Sequence, residues 1–422
     1  MNYTFGGINM NKSFLRLLLL TIVANYVNTI YADDTFEVNG AYYSVYNSKG
    51  VTLEGFKDNL SIINYTIPET ITYNTKTLSV VCVGEKAFKD CNNLVSLTVP
   101  GSVEKLGSFE NCNKFKKVVF KESDRWLYGI GYLRPCPIEE LYIGRNISRY
   151  INHSSLSKTL EEQPFRGKKI KKLEFGSKIT EIDKWLFYKA EITQSVILFP
   201  KNIKKVLDKA FLGCDKINSI IFEESSYDDE KNGLERIEEG AFSGCSGLKE
   251  VSFPRTLERI GYYSFSGCGL ETLAIPDNVT TISDKAFRGC QNLNIITIGS
   301  GVKIFCYEIF YDCPNIKYVT IKIIDPKKCE YRFSPSEPFL SNVYANAVLF
   351  VPTGSLDQYI NHYYWGKFFN IQEYKGTGIS SVHITPTEDC FYNLQGIKFK
   401  HLQNGIMIIR EKNGVAKKIL AK

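Results

Sequence analysis

Between Leu234 and Lys322 one pattern is written four times at nearly constant spacing, and it constrains the fold more than any other feature of the chain. Its first copy reads Ile237-x4-Phe242-x2-Cys245-x2-Leu248-x2-Val251-x-Phe253-Pro254, and Phe265, Phe287 and Phe310 fill the same slot in the next three. Cys245, Cys268, Cys290 and Cys313 follow each Phe by three residues, at intervals of 23, 22 and 23. A period in the twenties, with apolar positions fixed and polar ones free, predicts a solenoid in which every coil buries its face on the next.

Within a copy, Leu293, Ile296 and Ile298 occupy positions that are apolar throughout, and the last two are spaced by two as in a strand that points them inward. Pro100, Pro200, Pro254 and Pro276 close such strands, where one ladder hydrogen bond is dispensable. The alternate positions vary freely and predict an outer sheet face of two rows. One runs Ser96, Lys117, Glu140, Lys172, Glu250, Thr272, Ile295, Tyr318, and the other Thr98, Val119, Tyr142, Glu174, Ser252, Ala274, Thr297, Thr320. From these rows Lys117, Glu140, Tyr142, Lys172, Glu174, Glu250 and Tyr318 are the candidate binding residues. At about 4.8 Å per strand the face spans roughly 45 Å, enough for a protein partner. The alternative site is the interrupting loop from Glu122 to Pro164, rich in Tyr and Arg.

The recurrent Cys suggests a disulfide framework, but stacked coils hold equivalent residues about 4.7–4.9 Å apart with parallel Cα–Cβ vectors. A disulfide needs Cβ atoms about 3.5–4.5 Å apart and turned toward each other. The column is therefore expected to be packed thiols. Cys82, Cys136, Cys306, Cys329 and Cys390 fall off the column, and one bridge among them stays open.

Residues 1–32 read as a signal peptide, with Lys12 and Arg16 before the apolar run Leu15 to Ala24 and Ala32 before the expected mature start at Asp33. No later stretch approaches the length of a membrane helix, so export without a span in the mature chain is expected. Residues 33–83 read as an N-terminal β cap with an Asn39-Gly40 turn, and 84–322 as the solenoid, with an irregular insertion over 121–165. Residues 323–375 read as the last coil and a C-terminal cap, and 376–422 as a small β-rich tail behind a Gly/Ser hinge. The acidic loop Glu223 to Gly233 lacks the ligand spacing of a calcium loop.

A formal net charge of +7, falling to +5 without Lys12 and Arg16, is too weak to announce nucleic acid, and Glu161, Glu162 and Glu174 interleave the lysine clusters. The four His show no metal-ligand spacing, and no Gly-x-Ser-x-Gly or paired-carboxylate motif stands out. No catalytic residue, metal or cofactor is expected, and the chain reads as a binding protein rather than an enzyme.

The segment Ile282-x3-Ala286-Phe287-x2-Cys290-x2-Leu293-x2-Ile296 resembles the BspA-like leucine-rich repeat family of bacterial and protozoan surface proteins. Phe350-Val351-Pro352-x-Gly354, followed by Trp365-x2-Phe368, is similar to the usual end of such arrays in Bacteroidetes. The two together span about Thr35 to Tyr374. Tyr392-Asn393-Leu394-Gln395-Gly396 is similar to C-terminal domains of exported Bacteroidetes proteins, some of which are sorting signals. The resemblance implies a mainly β, right-handed leucine-rich-repeat solenoid with short strands and short helical turns, capped at both ends, plus a small C-terminal β tail. It also implies an exported protein, at the cell surface or secreted and associated with the outer membrane. Such a protein binds an extracellular protein of host matrix or other cells, or alternatively a cell-surface glycan or lipopolysaccharide. The family motif is structural, so no binding residue transfers from it.

Overall fold

The computed structural model describes residues 35–46, 50–148, 163–224, 233–332 and 337–374 in full; outside these it describes the strands Tyr3–Phe5, Ile8–Met10, Cys390–Asn393, Lys398–Phe399, Gly405–Arg410 and Ala416–Ala421. The expected leader segment 11–32, most of the acidic loop 223–233, the part 149–162 of the insertion and the hinge lie outside the described residues.

Each coil contributes one strand to a parallel outer sheet, and period-two alternation drives Leu97, Val99, Val118, Phe120, Leu141 and Ile143 inward, where all are buried. The ladder forms three hydrogen-bonded stretches of five, three and five strands rather than one uninterrupted line. The first pairs Asn64–Thr66, Ser96–Val99, Lys117–Phe120, Glu140–Arg145 and Lys172–Lys178. The second pairs Val196–Phe199, Ser219–Phe222 and Glu250–Ser252. The third runs from Thr272–Ile275 through Ile295–Ile298, Tyr318–Ile321 and Val348–Pro352 to Asn370–Tyr374. Both breaks have local causes. At the first, the Gln194 side chain takes the place of a strand, accepting from Leu173 N at 2.8 Å and donating to the Val196 carbonyl at 2.7 Å. At the second, Cys268-x-Leu270 is one residue shorter than Cys245-x2-Leu248, so the strand is entered early.

A second parallel ladder of very short strands runs along another face of the coils: Glu181–Ile182, Lys205–Val206, Arg236–Ile237, Arg259–Ile260, Thr281–Ile282, Ile304–Cys306 and Glu330–Arg332. Single bridges Cys82 to Lys105 and Lys105 to Tyr128, and the pair Leu127–Tyr128 with Ile147–Ser148, extend the same arrangement toward the N-terminus. Both ladders therefore persist through the stretch 121–148.

The turns make the third face. In them alternate N–H groups reach forward to the next coil: Gly240, Phe242 and Gly244 donate to the carbonyls of Tyr262, Ser264 and Ser266 at 2.8, 2.8 and 2.7 Å. This requires left-handed residues. Gly244, Gly267 and Gly289 supply one position just before the Cys (φ 71, 68 and 74), where Asp90, Asn111 and Asp312 also fit. Behind the turn the Phe side chains form one continuous stack. Phe187, Phe211, Phe242, Phe265, Phe287, Phe310 and Phe339 follow with centroids 4.9, 5.2, 5.2, 5.5, 5.5 and 5.3 Å apart, close to the strand repeat.

The column Cys thiols are free, and five in succession reach back to a Phe carbonyl: Cys214 to Phe187, Cys245 to Phe211, Cys268 to Phe242, Cys290 to Phe265 and Cys313 to Phe287, at 2.8 to 3.3 Å. Cys136 belongs to this column, contrary to the sequence reading, because its sulfur faces the Phe109 carbonyl at 3.7 Å as Cys112 faces Phe88 at 3.0 Å. Cys82, Cys306 and Cys329 are free as well.

At the N-terminal end, strands Phe36–Val38, Ala41–Tyr46, Gly50–Phe56, Lys76–Val83 and Thr70–Tyr73 form a mostly antiparallel sheet, its first hairpin closed by Asn39 and Gly40 at φ 52 and 77. At the other end the short helices Ser341–Asn346 and Leu356–Ile360 bring Tyr359, Trp365 and Phe368 over the last coil, all buried. The Tyr359 hydroxyl donates to the Ile323 carbonyl at 2.6 Å, and Trp365 Nε1 to the Tyr331 hydroxyl at 2.9 Å. The four strands from Cys390 onward form a separate antiparallel sheet.

Arg145 is fully buried inside the early coils, where its guanidinium donates to three carbonyls of the coil two turns back: Gly101 and Val103 at 3.0 and 2.8 Å, and Pro100 at 2.9 Å. Burial lowers its pKa to about 10.

Candidate binding face

Parallel pairing in constant register as far as Ile143, beyond which the register shifts before Arg145, brings five of the seven candidate residues together. Lys117 lies beside Glu140 and Glu140 beside Lys172, while Tyr142 lies between Val119 and Glu174 in the neighbouring row. These side chains line a shallow depression of about 270 Å³ on the outer sheet.

The charges in it are matched pairwise. Lys117 Nζ stands 3.4 Å from Glu140 Oε2 and Lys172 Nζ 3.0 Å from Glu174 Oε1. One residue before Glu140, Glu139 accepts from both Lys171 and Lys116, at 2.5 and 2.9 Å, and these bonds hold its carboxyl below the usual range. The Lys117–Glu140 and Lys172–Glu174 pairs are solvent-exposed, so each contributes about 0–1 kcal/mol and leaves the lysines free to change partners.

Tyr142 is the fixed member. Its hydroxyl donates to Glu122 Oε1 at 2.8 Å, and the same carboxylate accepts from Ser177 N at 2.9 Å and Lys178 N at 2.8 Å. Partial burial, reinforced by the Glu122 carboxylate, pushes the Tyr142 pKa up to about 12. Glu122 thus ties the end of one strand to another two coils away. Sequence reasoning placed it only at the start of a loop, and no periodic signal marks it.

The other two candidates stand apart. Glu250 lies beside Ser219 in the middle stretch, and Tyr318 lies between Ile295 and Val348 in the third, its ring 6.4 Å from that of Phe350. Between the depression and Glu250 the face is apolar: Val196 is 37% and Leu198 48% exposed, with half-buried Ile221 beside Leu198. The sequence reading missed this strip. Val196-Ile197-Leu198-Phe199 is apolar at every position and hides the alternation, and counting nine residues on from Phe187, as from Phe242 to Val251, lands on Val196 rather than on the buried Ile197, because this coil is one residue longer.

Two carboxyls raised by burial, Glu181 and Glu224, lie outside the depression. Among the described residues no group of three His, Cys, Asp or Glu could hold a metal ion, and no helix is long and apolar enough to cross a membrane.

The family comparison agrees with this architecture. The family model described as BspA type leucine rich repeat region matches in six copies, over residues 50–128, 144–232 and 229–334. Among solved structures the chain is similar to a leucine-rich repeat protein from Bacteroides ovatus, at 18% identity over 76% of this chain and 80% of that one with a TM-score of 0.40. It is also similar to the pneumococcal vaccine antigen PcpA, at 17% identity over 81% and 99% with a TM-score of 0.35. A leucine rich cell surface protein from Faecalibacterium prausnitzii matches at 16% identity over 72% and 96%, with a TM-score of 0.29. No curated protein matches the chain. With a mainly β solenoid of stacked parallel strands and a family match over more than half its length, the chain belongs to the BspA-type leucine-rich repeat family.

Proposed function

We propose that this chain is an exported cell-surface binding protein whose outer sheet takes a protein partner from host matrix or from other cells. The reading rests on one observation above others: Lys117, Glu140, Tyr142, Lys172 and Glu174 line a single depression on three consecutive strands, continued by exposed Val196 and Leu198. A fixed tyrosine among exchangeable charges beside an apolar strip has the make-up of a protein interface, with an aromatic anchor and a polar rim. Glu250 and Tyr318 lie farther along the same face and would extend the footprint of a long partner. Repeat-family surfaces of this kind serve as interaction modules, and the chain needs no catalysis or cofactor for this role.

Export rests on the leader read in residues 1–32. The remaining division assigns 33–83 and 323–375 to capping the array and 376–422 to sorting or attachment. The test is a binding screen of residues 33–422 against immobilised matrix proteins, glycan arrays and whole cells. Saturable capture by a protein supports the reading. Capture by glycans or lipopolysaccharide alone would replace it with a glycan-binding one.

A further inference from the structure

The third stretch of the outer ladder differs in chemistry from the first. Its two outward rows run from Thr272 to Asn370 and from Ala274 to Gln372, and neither holds a Lys, Arg, Asp, Glu or His, whereas the first stretch presents Lys117, Glu140, Lys172 and Glu174. Charges stand at the strand ends instead, with Glu271 paired to Lys249 and Asp277 to Lys322, both at 3.3 Å. In the middle of the face lies an aromatic pair. Tyr318 and Phe350 sit diagonally on neighbouring strands, half-buried, their centroids 6.4 Å apart and their planes within 23° of parallel. Half-buried Ile295 and Val348 flank Tyr318 in its row, and Thr320 and Gln372 flank Phe350 in the other. Gln372 Nε2 donates to Asn370 Oδ1 at 2.9 Å, which holds the two exposed amides together and leaves the Gln372 carbonyl and the Asn370 amino group for a ligand.

Such a face offers the charged side chains of a protein no counter-charge in return for the water they would lose. It suits a molecule with apolar faces, many hydroxyls and no charge. A neutral sugar ring packs its C–H face against aromatic rings and turns its hydroxyls to the amide and hydroxyl groups around them. We infer that the third stretch binds a neutral oligosaccharide, with Tyr318 and Phe350 as its platform and Thr320, Asn370 and Gln372 as its hydrogen-bonding rim. Five strands at about 4.8 Å per step span roughly 19 Å, which fits a chain of sugar units rather than one. The three strands of the middle stretch separate this site from the charged depression. That depression remains the protein site, and Tyr318 serves this second ligand in place of the far end of a protein footprint.

The test is isothermal titration of the full chain with cellohexaose, maltohexaose, laminarihexaose, mannohexaose and chitohexaose, with hexagalacturonate as the acidic comparison. At least one neutral hexasaccharide should bind with a Kd below about 1 mM and more tightly than hexagalacturonate, and its affinity should stay level between about 0.05 and 0.5 M salt. Tyr318→Ala and Phe350→Ala should each weaken it by at least about tenfold. Both rings are half-buried, so Gln372→Ala, at an exposed position, is the variant that keeps the fold, with an expected loss of about two- to tenfold at an unchanged melting temperature. The Lys117→Ala/Tyr142→Ala/Glu174→Ala variant should bind the sugar as wild type does, even where it loses a protein partner. Absence of binding by every neutral hexasaccharide at about 10 mM, preference for hexagalacturonate, affinity that falls with salt, or wild-type affinity in the Tyr318→Ala/Phe350→Ala double variant would overturn the inference. So would loss of sugar binding in the triple variant, which would place the sugar in the charged depression. So, too, would a double variant that loses a protein's binding rather than a sugar's, which would return the face to the protein footprint.

Discussion

The Cys268 thiol donates to the backbone carbonyl of Phe242 in the preceding coil, 3.2 Å away. The same contact recurs along the column and explains why Cys, rather than Ala, follows the Phe: it is small enough for the turn and carries a weak donor for a carbonyl facing the core. Cys245, Cys268, Cys290 and Cys313 should therefore react with a thiol reagent only after denaturation. Reductant should leave the melting temperature unchanged, and a marked loss of stability on reduction would refute the free-thiol column.

Those buried thiols also set a pH dependence. Burial pushes Cys91 and Cys136 up to about 12 and Cys112 up to about 11, against an ordinary thiol value of about 8.5. The unfolded chain releases these protons first, so their contribution to stability is fully present below about pH 8.5 and is lost as pH rises through 11 to 12. Urea midpoints should hold level from pH 7 to 8.5 and fall steadily above that. A midpoint that rises with alkaline pH would contradict the burial of the column.

Phe265 stacks between Phe242 and Phe287, at 5.2 and 5.5 Å, and is fully buried. Phe265→Ala should cost about 3–5 kcal/mol in a urea melt. Its neighbour Ser264 fills a slot that holds Ala87, Ala210, Ala241 and Ala286 elsewhere, and its buried hydroxyl has no partner. Ser264→Ala should be neutral or stabilise by about 1 kcal/mol, because it removes an unsatisfied polar group. Similar losses from both substitutions would mean that the slot assignment is wrong.

Arg145 joins a strand to carbonyls 42 to 45 residues earlier in the chain. Arg145→Ala should destabilise by about 3 kcal/mol or more, since it strands three buried acceptors and opens a cavity. Arg145→Lys should not restore stability, because a single ammonium cannot reproduce the planar fork. Full stability in Arg145→Lys would show that charge alone matters there.

The repeat made the core legible in the sequence, because burial forces Phe, Cys and the strand residues Leu293, Ile296 and Ile298 to recur whatever the coil's surface does. Most of the outward rows were legible for the same reason, as the positions between fixed ones, but Thr297, read as outward, is buried, and the strands Val196–Phe199 and Ser219–Phe222 were left out of the rows. What stayed hidden depends on single events without a period. Gln194 replaces a strand bond and Glu122 clamps a distant strand, neither at a repeating position, while the break at Cys268-x-Leu270 is marked in the spacing only by a single interval of 22 between two of 23. The all-apolar Val196 to Phe199 offered no alternation to read. Cys136 was missed because Leu133 stands three residues before it, where the other column Cys are preceded by Phe.

Recognition through the sheet depression is tested most directly with the partner recovered from the binding screen, by measuring its affinity for wild type and for the Lys117→Ala/Tyr142→Ala/Glu174→Ala variant by surface plasmon resonance. The predicted result is a loss of at least about tenfold with a melting temperature within a few degrees of wild type. Wild-type affinity in that variant, together with loss of binding when residues 149–162 are replaced by a short Gly/Ser linker, would contradict it and move recognition to the interrupting loop.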